Sequence, residues 1–422
     1  MTKRPEIDPA SLLRGLEFKR MSRRDVFRYA GVGAGTIGLG AFLAACGVKG
    51  QKSSSSSAAG FDWAAQKKTG IVNFTNWPQY IDKGKNGSIP TLDAFEKQTG
   101  DKVTYRTDIQ DNATYYAQIR PELEAGQDIG SDIIVMTNGS ELSEMIALNY
   151  LIPLDHSLTP NFNKYAGTTV KDPPYDPGNK YTMAWQSGFT GIGYNTKYVK
   201  SAPTSFMDLL DPAYKGKVGM MGNNQDLPCF ALVATGVDPN DSTPAQWQKA
   251  ADLLQQQKDS GNVRKYYLQD YLTAFENEET WITMAWSGDI LIDKLYSGYP
   301  EFEFLVPDEG GVIWTDNMCI PQKAAHPLDA INLMDYYYEP AVAAKVTEYN
   351  NYVTPVPAGL DIVKADAAKA TGDDKKILDE VAGSVYVFPT DELAKRIYGY
   401  RVFDSPEQED QWNAIFQPIY QS

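Results

Sequence analysis

Three short apolar segments, residues 70–75, 102–106 and 132–136, alternate with amphipathic segments at 90–98 (PTLDAFEKQ, stopped by Gly100), 113–125 (bent or ended near Pro121) and 140–148. Strands separated by helix-length connections are joined by crossovers, and crossovers make parallel pairs. The run reads βαβαβ and predicts an α/β fold with a mostly parallel, doubly wound sheet. In such a sheet the ligand crevice lies beyond the carboxyl ends of the strands. A second cycle follows: strands at 190–194, 217–221 and 280–285, a helix at 243–257 capped by Ser242 or Thr243, and strands at 303–306 and 311–314 flanking Pro307-Asp308-Glu309-Gly310. Helices are expected at 327–337 and 341–347. Two α/β lobes describe a clamp better than a barrel.

Ahead of this stands Ser22-Arg23-Arg24-Asp25-Val26-Phe27-Arg28, a weakly apolar run from Tyr29 to Ala45, and Leu43-Ala44-Ala45-Cys46. The run is too short and too weakly hydrophobic for a good membrane span. Together the three features read as a twin-arginine export signal over residues 1–46 ending in a lipid-attachment cysteine, Cys46, with translation starting at Met1 or Met21. Two acyl chains there hold a domain on a bilayer. Residues 47–66 include five consecutive serines and are expected to form a flexible tether, with the folded part starting near Lys67.

Removing the eight basic and four acidic residues of the first 45 leaves 31 basic and 50 acidic groups, a net charge of about −19. Such a surface argues against nucleic acid and attracts cations. Cys229 and Cys319 are the remaining cysteines, in no zinc spacing, and leave a single disulfide open. The only histidines are His156 and His326, and no GxSxG, HExxH or phosphate-loop motif occurs. No cofactor or metal is implied, and a nucleophilic enzyme has poor material to work with.

The informative residues are aromatics at strand ends: Trp77 and Tyr80 after the first strand, Trp185 before another, Trp286 and Trp314 ending two more, and Tyr352 ahead of Thr354-Pro355. In Trp314-Thr315-Asp316 an extended backbone projects indole and carboxylate to the same side. A ring face attracts a cation by about 0.5 to 2 kcal/mol, and a carboxylate adds a charge-assisted hydrogen bond, so the pair suits an alkylammonium. Asp226 offers a second carboxylate, with Asn223 as a neutral hydrogen-bond partner.

At these residues the chain resembles the spermidine/putrescine-binding proteins of bacterial ABC importers. The resemblance runs through most of the folded part: Asn76-Trp77-x-x-Tyr80, Asp132-Ile-Ile-Val135, Gly191-Ile-Gly-Tyr-Asn195, Pro212-Ala-Tyr-Lys-Gly216, Ala285-Trp-Ser-Gly288, Gly310-Gly-Val-Ile-Trp-x-Asp316 and Tyr352-x-Thr-Pro355. It implies a periplasmic-binding-protein fold, with lobe one at 67–187 plus 315–360 and lobe two at 188–314 plus 361–422. It also implies a polyamine ligand, a membrane permease with its ATPase as partner, a monomer, and no enzymatic activity. Carried over, the aromatic box falls on Trp77, Tyr80, Trp286, Trp314 and Tyr352, the gripping carboxylate on Asp316, and a serine of the family on Thr137.

The departures lie at the other end of the ligand. An acidic pair becomes Asn223 and Asp226, a tyrosine expected just after Thr137 becomes Gly139 or Ser140, and a C-terminal glutamine has no assigned counterpart. One charge fewer favours a ligand with fewer ammonium groups or a shorter span, such as putrescine, unless Asp289 or Asp270 compensates. Two rivals stay open: the same clamp for another small solute, and an exported carboxylate-dependent glycan hydrolase using Asp226 and Asp316.

Overall fold

The computed structural model describes residues 61–84 and 87–421, and Trp63–Ser422 forms one compact unit. The export signal and Cys46 lie outside the described residues, as does most of the expected tether. The tether's last residues do not follow that expectation. Trp63–Ala65 form a 3-10 turn, and the Trp63 indole donates to the Pro153 carbonyl at 2.9 Å. A large apolar ring with an available acceptor docks where serines would not, so packed structure reaches back at least to Trp63, ahead of Lys67.

Among the described residues ten strands form a single sheet, and eight of them lie along the path β2-β1-β3-β9-β4-β7-β5-β6. In chain order they are β1 Ile71–Thr75, β2 Lys102–Arg106, β3 Ile133–Thr137, β4 Met183–Asn195, β5 Val218–Met221, β6 Val263–Tyr267, β7 Ile282–Trp286, β8 Phe302–Leu305, β9 Gly311–Cys319 and β10 Ile397–Gly399. β8 pairs with β4 and β10 with β9. The α/β class is as the alternation implies, yet along this eight-strand path parallel pairing holds only away from the centre; off the path, β10 lies parallel to β9. β1 pairs in parallel with β2 and β3, and β5 with β6 and β7, whereas β3–β9, β9–β4 and β4–β7 are antiparallel.

The centre differs because β4 is much longer than its apolar segment suggests. Its thirteen residues include Gln186, Ser187 and Gly188, which break the hydrophobic run, and all three are buried. Ser187 donates to or accepts from Thr315 at 2.9 Å, so a polar pair satisfies itself inside the ladder. β4 runs along β9 from Met183 opposite Met318 to Thr190 opposite Val312, with one bulge between Ala184 and Gln186. β3 joins one end of this ribbon and β7 the other.

Trp185, an expected strand-end aromatic, lies inside β4 and belongs to the core. Its ring packs edge-on against Phe74 and Tyr337, and its N–H donates to the Tyr80 carbonyl at 3.0 Å. The boundary expected at 360/361 falls within a continuous helix, Gly359–Lys369. Val363 of that helix packs with Ala344, Ile377, Val381 and Val387, so a helix interior rather than a crossing occupies this point. Cys229 and Cys319 are both free and buried.

The C-terminal helix Pro406–Tyr420 is opened by Ser405, whose side chain accepts from Gln408 N–H. It docks through Trp412, fully buried, edge-on against Trp247 at 5.3 Å and donating to the Asn224 carbonyl at 2.8 Å. Trp412→Ala is expected to cost about 3 to 5 kcal/mol, read as a lower midpoint in denaturant unfolding.

Candidate functional site

Asp316 is set by register. It lies opposite Thr137 in the β3–β9 ladder and opposite Gln186 in the β4–β9 ladder, so both neighbouring strands hold its backbone. Its Oδ1 accepts from the Thr137 hydroxyl at 2.6 Å and its Oδ2 from the Tyr80 hydroxyl at 2.7 Å. The side chain is 5% exposed, and burial pushes its carboxyl up to about 6 despite both donors. Among the described residues it has no ion-pair partner, and a carboxylate with two donors retains acceptor capacity for more. The Tyr80 hydroxyl is in turn raised far above its ordinary range, by burial first and then by the Asp316 charge.

From Tyr80 a continuous line of rings leads across the sheet. Tyr80 meets Tyr352 at 5.4 Å, Tyr352 meets Trp314 at 5.4 Å, and Trp314 meets Trp286 at 6.1 Å, each edge-on. Two glycines make the approach possible. A Cβ on Gly188 would lie 2.3 Å from the Trp314 ring, and one on Gly288 would lie 2.5 Å from the Tyr352 ring. Gly288 closes the quoted Ala285-Trp-Ser-Gly288 motif, and close ring approach gives it and Gly188 a role.

At the far end the Trp286 indole faces Asp226 Oδ2 at 3.3 Å. Asp226 is 2% exposed and also accepts from the Thr190 hydroxyl and from Asn223 Nδ2 at 2.9 Å. Burial raises its carboxyl, and bonds from Thr190, Tyr400, Asn223 and Trp286 oppose the rise. Four donors saturate the acceptor sites of a carboxylate. The Asn223 carbonyl oxygen receives the backbone N–H of Gln225 and of Asp226, at 3.1 and 2.6 Å. Asn223 therefore satisfies backbone N–H groups at the entry to the helix Asp226–Ala234 and orients Asp226; both ends of its amide are engaged within the protein.

The structure brings Tyr80, Thr137, Asn223, Asp226, Trp286, Trp314, Asp316 and Tyr352 into one chain of contacts. Trp77 stands apart: half-buried, it donates its indole N–H to Val135 of β3 at 3.1 Å, near Thr137. Thr137 also accepts from Asn112 Nδ2 at 2.9 Å, a partner the sequence did not single out. Of the two compensating carboxylates considered, Asp270 pairs with Lys265 at 3.0 Å on the surface. Asp289 belongs to the site: buried, it accepts from Tyr352 at 2.9 Å and Tyr271 at 3.0 Å. The Trp314 indole N–H is buried with no acceptor among the described residues.

Neither histidine is near this chemistry. His156 bonds Thr159 and the Asn179 carbonyl and stacks on Phe162, while His326 bonds Thr69. Among the described residues no cluster of His, Cys, Asp and Glu could hold a metal.

A family model of the bacterial extracellular solute-binding proteins matches residues 129–379. The chain belongs to this family. A spermidine/putrescine-binding periplasmic protein of Haemophilus influenzae is 30% identical over 79% of this chain and 86% of its own length. A spermidine/putrescine-binding periplasmic protein of Escherichia coli is 27% identical over 74% of this chain and 85% of its own, and a putrescine-binding periplasmic protein from the same organism is 28% identical over 73% and 84%. The fold matches the substrate-binding protein of a spermidine/putrescine ABC transporter from Streptococcus pneumoniae with TM-score 0.69, at 22% identity over 83% of this chain and 98% of that one. It also matches a related transporter protein from Listeria monocytogenes with TM-score 0.66, at 24% identity over 83% and 99%. These solved structures carry the periplasmic-binding-protein fold, and so does this member. Extracellular solute-binding proteins bind a solute rather than transform it, so the chain is not an enzyme. No helix among the described residues is long and apolar enough to cross a membrane.

The raised Asp316 carboxyl has a consequence for the ligand-free protein. A group whose folded-state pKa exceeds its unfolded value costs stability at high pH, and that cost disappears as pH falls through about 6 toward 4. Asp316→Asn is therefore expected to raise the unfolding temperature of the ligand-free protein at pH 8 by a few degrees, with the gain vanishing near pH 4. A lower unfolding temperature at pH 8 would show that the charge is not a burden on the fold.

Proposed function

We propose that this solute-binding protein captures a polyamine and delivers it to the permease of an ABC importer. The observation that carries the reading is Asp316: a buried carboxylate with only hydroxyl donors, no cation among the described residues, and a line of rings running from it. Putrescine or spermidine lays its methylenes along Tyr80, Tyr352, Trp314 and Trp286, with Trp77 at the edge, and sets one ammonium on Asp316. The other end falls near Asp226, with Asp289 between Tyr271 and Tyr352 supplying a third carboxylate. A diammonium ligand thus finds more buried negative charge than Asp226 and Asp316 alone would provide. The names of the relatives, which bind spermidine and putrescine, support the same class.

Two lobes hinged on β4 and β9 fit this site. Support comes from the ladder itself: the expected crossings at 187/188 and 314/315 are paired residues, Ser187 with Thr315 and Gly188 with Trp314. Closure buries the carboxylates, and the ligand's charge offsets that burial, so the solute stabilises the closed state. One observation favours a second reading. The buried Trp314 N–H would suit a solute that also carries an acceptor, such as an ω-amino acid.

Calorimetric titration of the protein with putrescine, spermidine, γ-aminobutyrate and a maltodextrin separates these. A diamine is expected to bind in the micromolar range or tighter, and Asp316→Asn to weaken it at least tenfold. Affinity should also fall as pH drops through about 6, because protonated Asp316 no longer attracts an ammonium. Tighter binding of γ-aminobutyrate than of either amine would select the second reading, and maltodextrin binding would restore the glycan one.

For location we propose export through the signal at residues 1–46 and anchoring by lipid at Cys46 on the outer face of the cytoplasmic membrane, where a monomer stays beside its permease. Cys46→Ala is expected to abolish incorporation of labelled palmitate and to move the protein into the soluble extracellular or periplasmic fraction. Retention in the membrane fraction would remove the anchor.

A further inference from the structure

Where the sequence departs from its relatives, next to Thr137, Gly139 leaves room that a side chain from the opposite half of the sheet takes up. A Cβ on Gly139 would lie 3.8 to 4.0 Å from the Gln225 side chain, an ordinary contact. Gln225 precedes Asp226 at the start of the helix Asp226–Ala234 and is only 9% exposed. Its Nε2 lies 3.3 Å from Ser140 Oγ, and Ser140 donates its hydroxyl proton to Glu409 of the helix Pro406–Tyr420. These bonds fix which way the amide faces. With its proton committed to Glu409, the Ser140 oxygen offers only lone pairs, so it must face the NH2 of Gln225. The Gln225 carbonyl oxygen is then left over, and it is buried with no donor among the described residues.

The residue that carries this orphan acceptor directly precedes the saturated carboxylate, Asp226, in the chain. Asp226 already receives Thr190, Asn223, Trp286 and Tyr400, so it supplies charge at its end of the site but little directional acceptance. A primary ammonium brings three N–H donors, and a buried donor left unmet weakens binding. We propose that Gln225 Oε1 is the hydrogen-bond acceptor for the ligand's primary ammonium at the Asp226 end, held in place by the Glu409–Ser140–Gln225 relay. The inference rests on the amine reading above and deepens it by dividing charge from directional recognition between neighbouring residues. Because Ser140 follows β3 while Gln225 follows β5, the acceptor is oriented only when the two halves are together. The C-terminal helix takes part through Glu409, fixed by Trp412 on Trp247 and on the Asn224 carbonyl.

Gln225→Leu is near in size and removes both amide functions. Putrescine titration of the full chain and thermal unfolding without ligand are measured together. The expected result is a Kd for putrescine raised about tenfold or more, with the ligand-free unfolding temperature unchanged or higher, since an unmet buried acceptor has been removed. Ser140→Ala, which frees the amide to rotate, is expected to give a smaller rise. Unchanged affinity in Gln225→Leu overturns the assignment and leaves the amine reading standing. A parallel loss of affinity and stability assigns Gln225 a structural role and overturns it as well. If the parent protein binds no amine, both readings fall together.

Discussion

The antiparallel ribbon of β4 and β9 is the constraint on which the remaining structure depends. Each strand serves both halves of the sheet, so neither half has a complete set of backbone partners without it. The same two strands deliver groups of the proposed site: Trp314 and Asp316 lie on β9, and Gly188, which gives Trp314 its room, lies opposite on β4. A site built on paired strands inherits their rigidity, whereas loops would leave the carboxylate free to turn toward water. Two mid-strand polar residues, costly elsewhere, are satisfied here by partners: Ser187 with Thr315, and Thr315 N–H with Asn138.

Much of the fold was legible because its strands are short and apolar and its helices are punctuated. Residues 102–106 form the strand Lys102–Arg106 with the expected bounds, and Gly100 ends its helix in the left-handed conformation at φ 82°. What escaped has a common cause. β4 was cut to its apolar half because periodicity cannot register buried polar residues whose partners lie over a hundred positions away. β6, with the charged sequence VRKYY, is an edge strand with Arg264 and Lys265 exposed, and it lacks the apolar signal that marks the other strands. Trp185 shows the limit of the rule that placed aromatics at strand ends, since lengthening the strand moved that end past it.

The site was legible residue by residue and not as a geometry. Trp314 and Asp316 could be paired from spacing alone, but the Asp316 donors, Tyr80 and Thr137, lie 236 and 179 positions away. Asn223 had the right chemistry and a different task, since the short stretch from 223 to 226 forms a helix entry in which both amide ends are engaged. Asp289 was present in the Trp286 motif, and only the ring contacts of Tyr352 and the bond from Tyr271 place it inside. Gln225 carried no sequence signal; its interest arises from a hydrogen-bond count that requires three elements to be in position.

Taken together, the buried carboxylates explain why the fold tolerates an unfavourable arrangement. Removing a charge from water without a partner costs several kcal/mol, and the rise of the Asp316 carboxyl to about 6 is the trace of that cost. A stability-optimised core would replace such groups with apolar ones. Here hydroxyls hold two of them in fixed orientations instead: Tyr80 and Thr137 on Asp316, Thr190 on Asp226. Hydroxyl donors position a carboxylate without neutralising it, as an arginine or lysine would. The remaining deficit is one of charge, and only a cation with a hydrophobic body matches both the deficit and the rings beside it. On the proposed reading, the cost of burying the carboxylates in an empty closed form is what would couple closure to the arrival of a solute, because a site already neutral would close as readily without one.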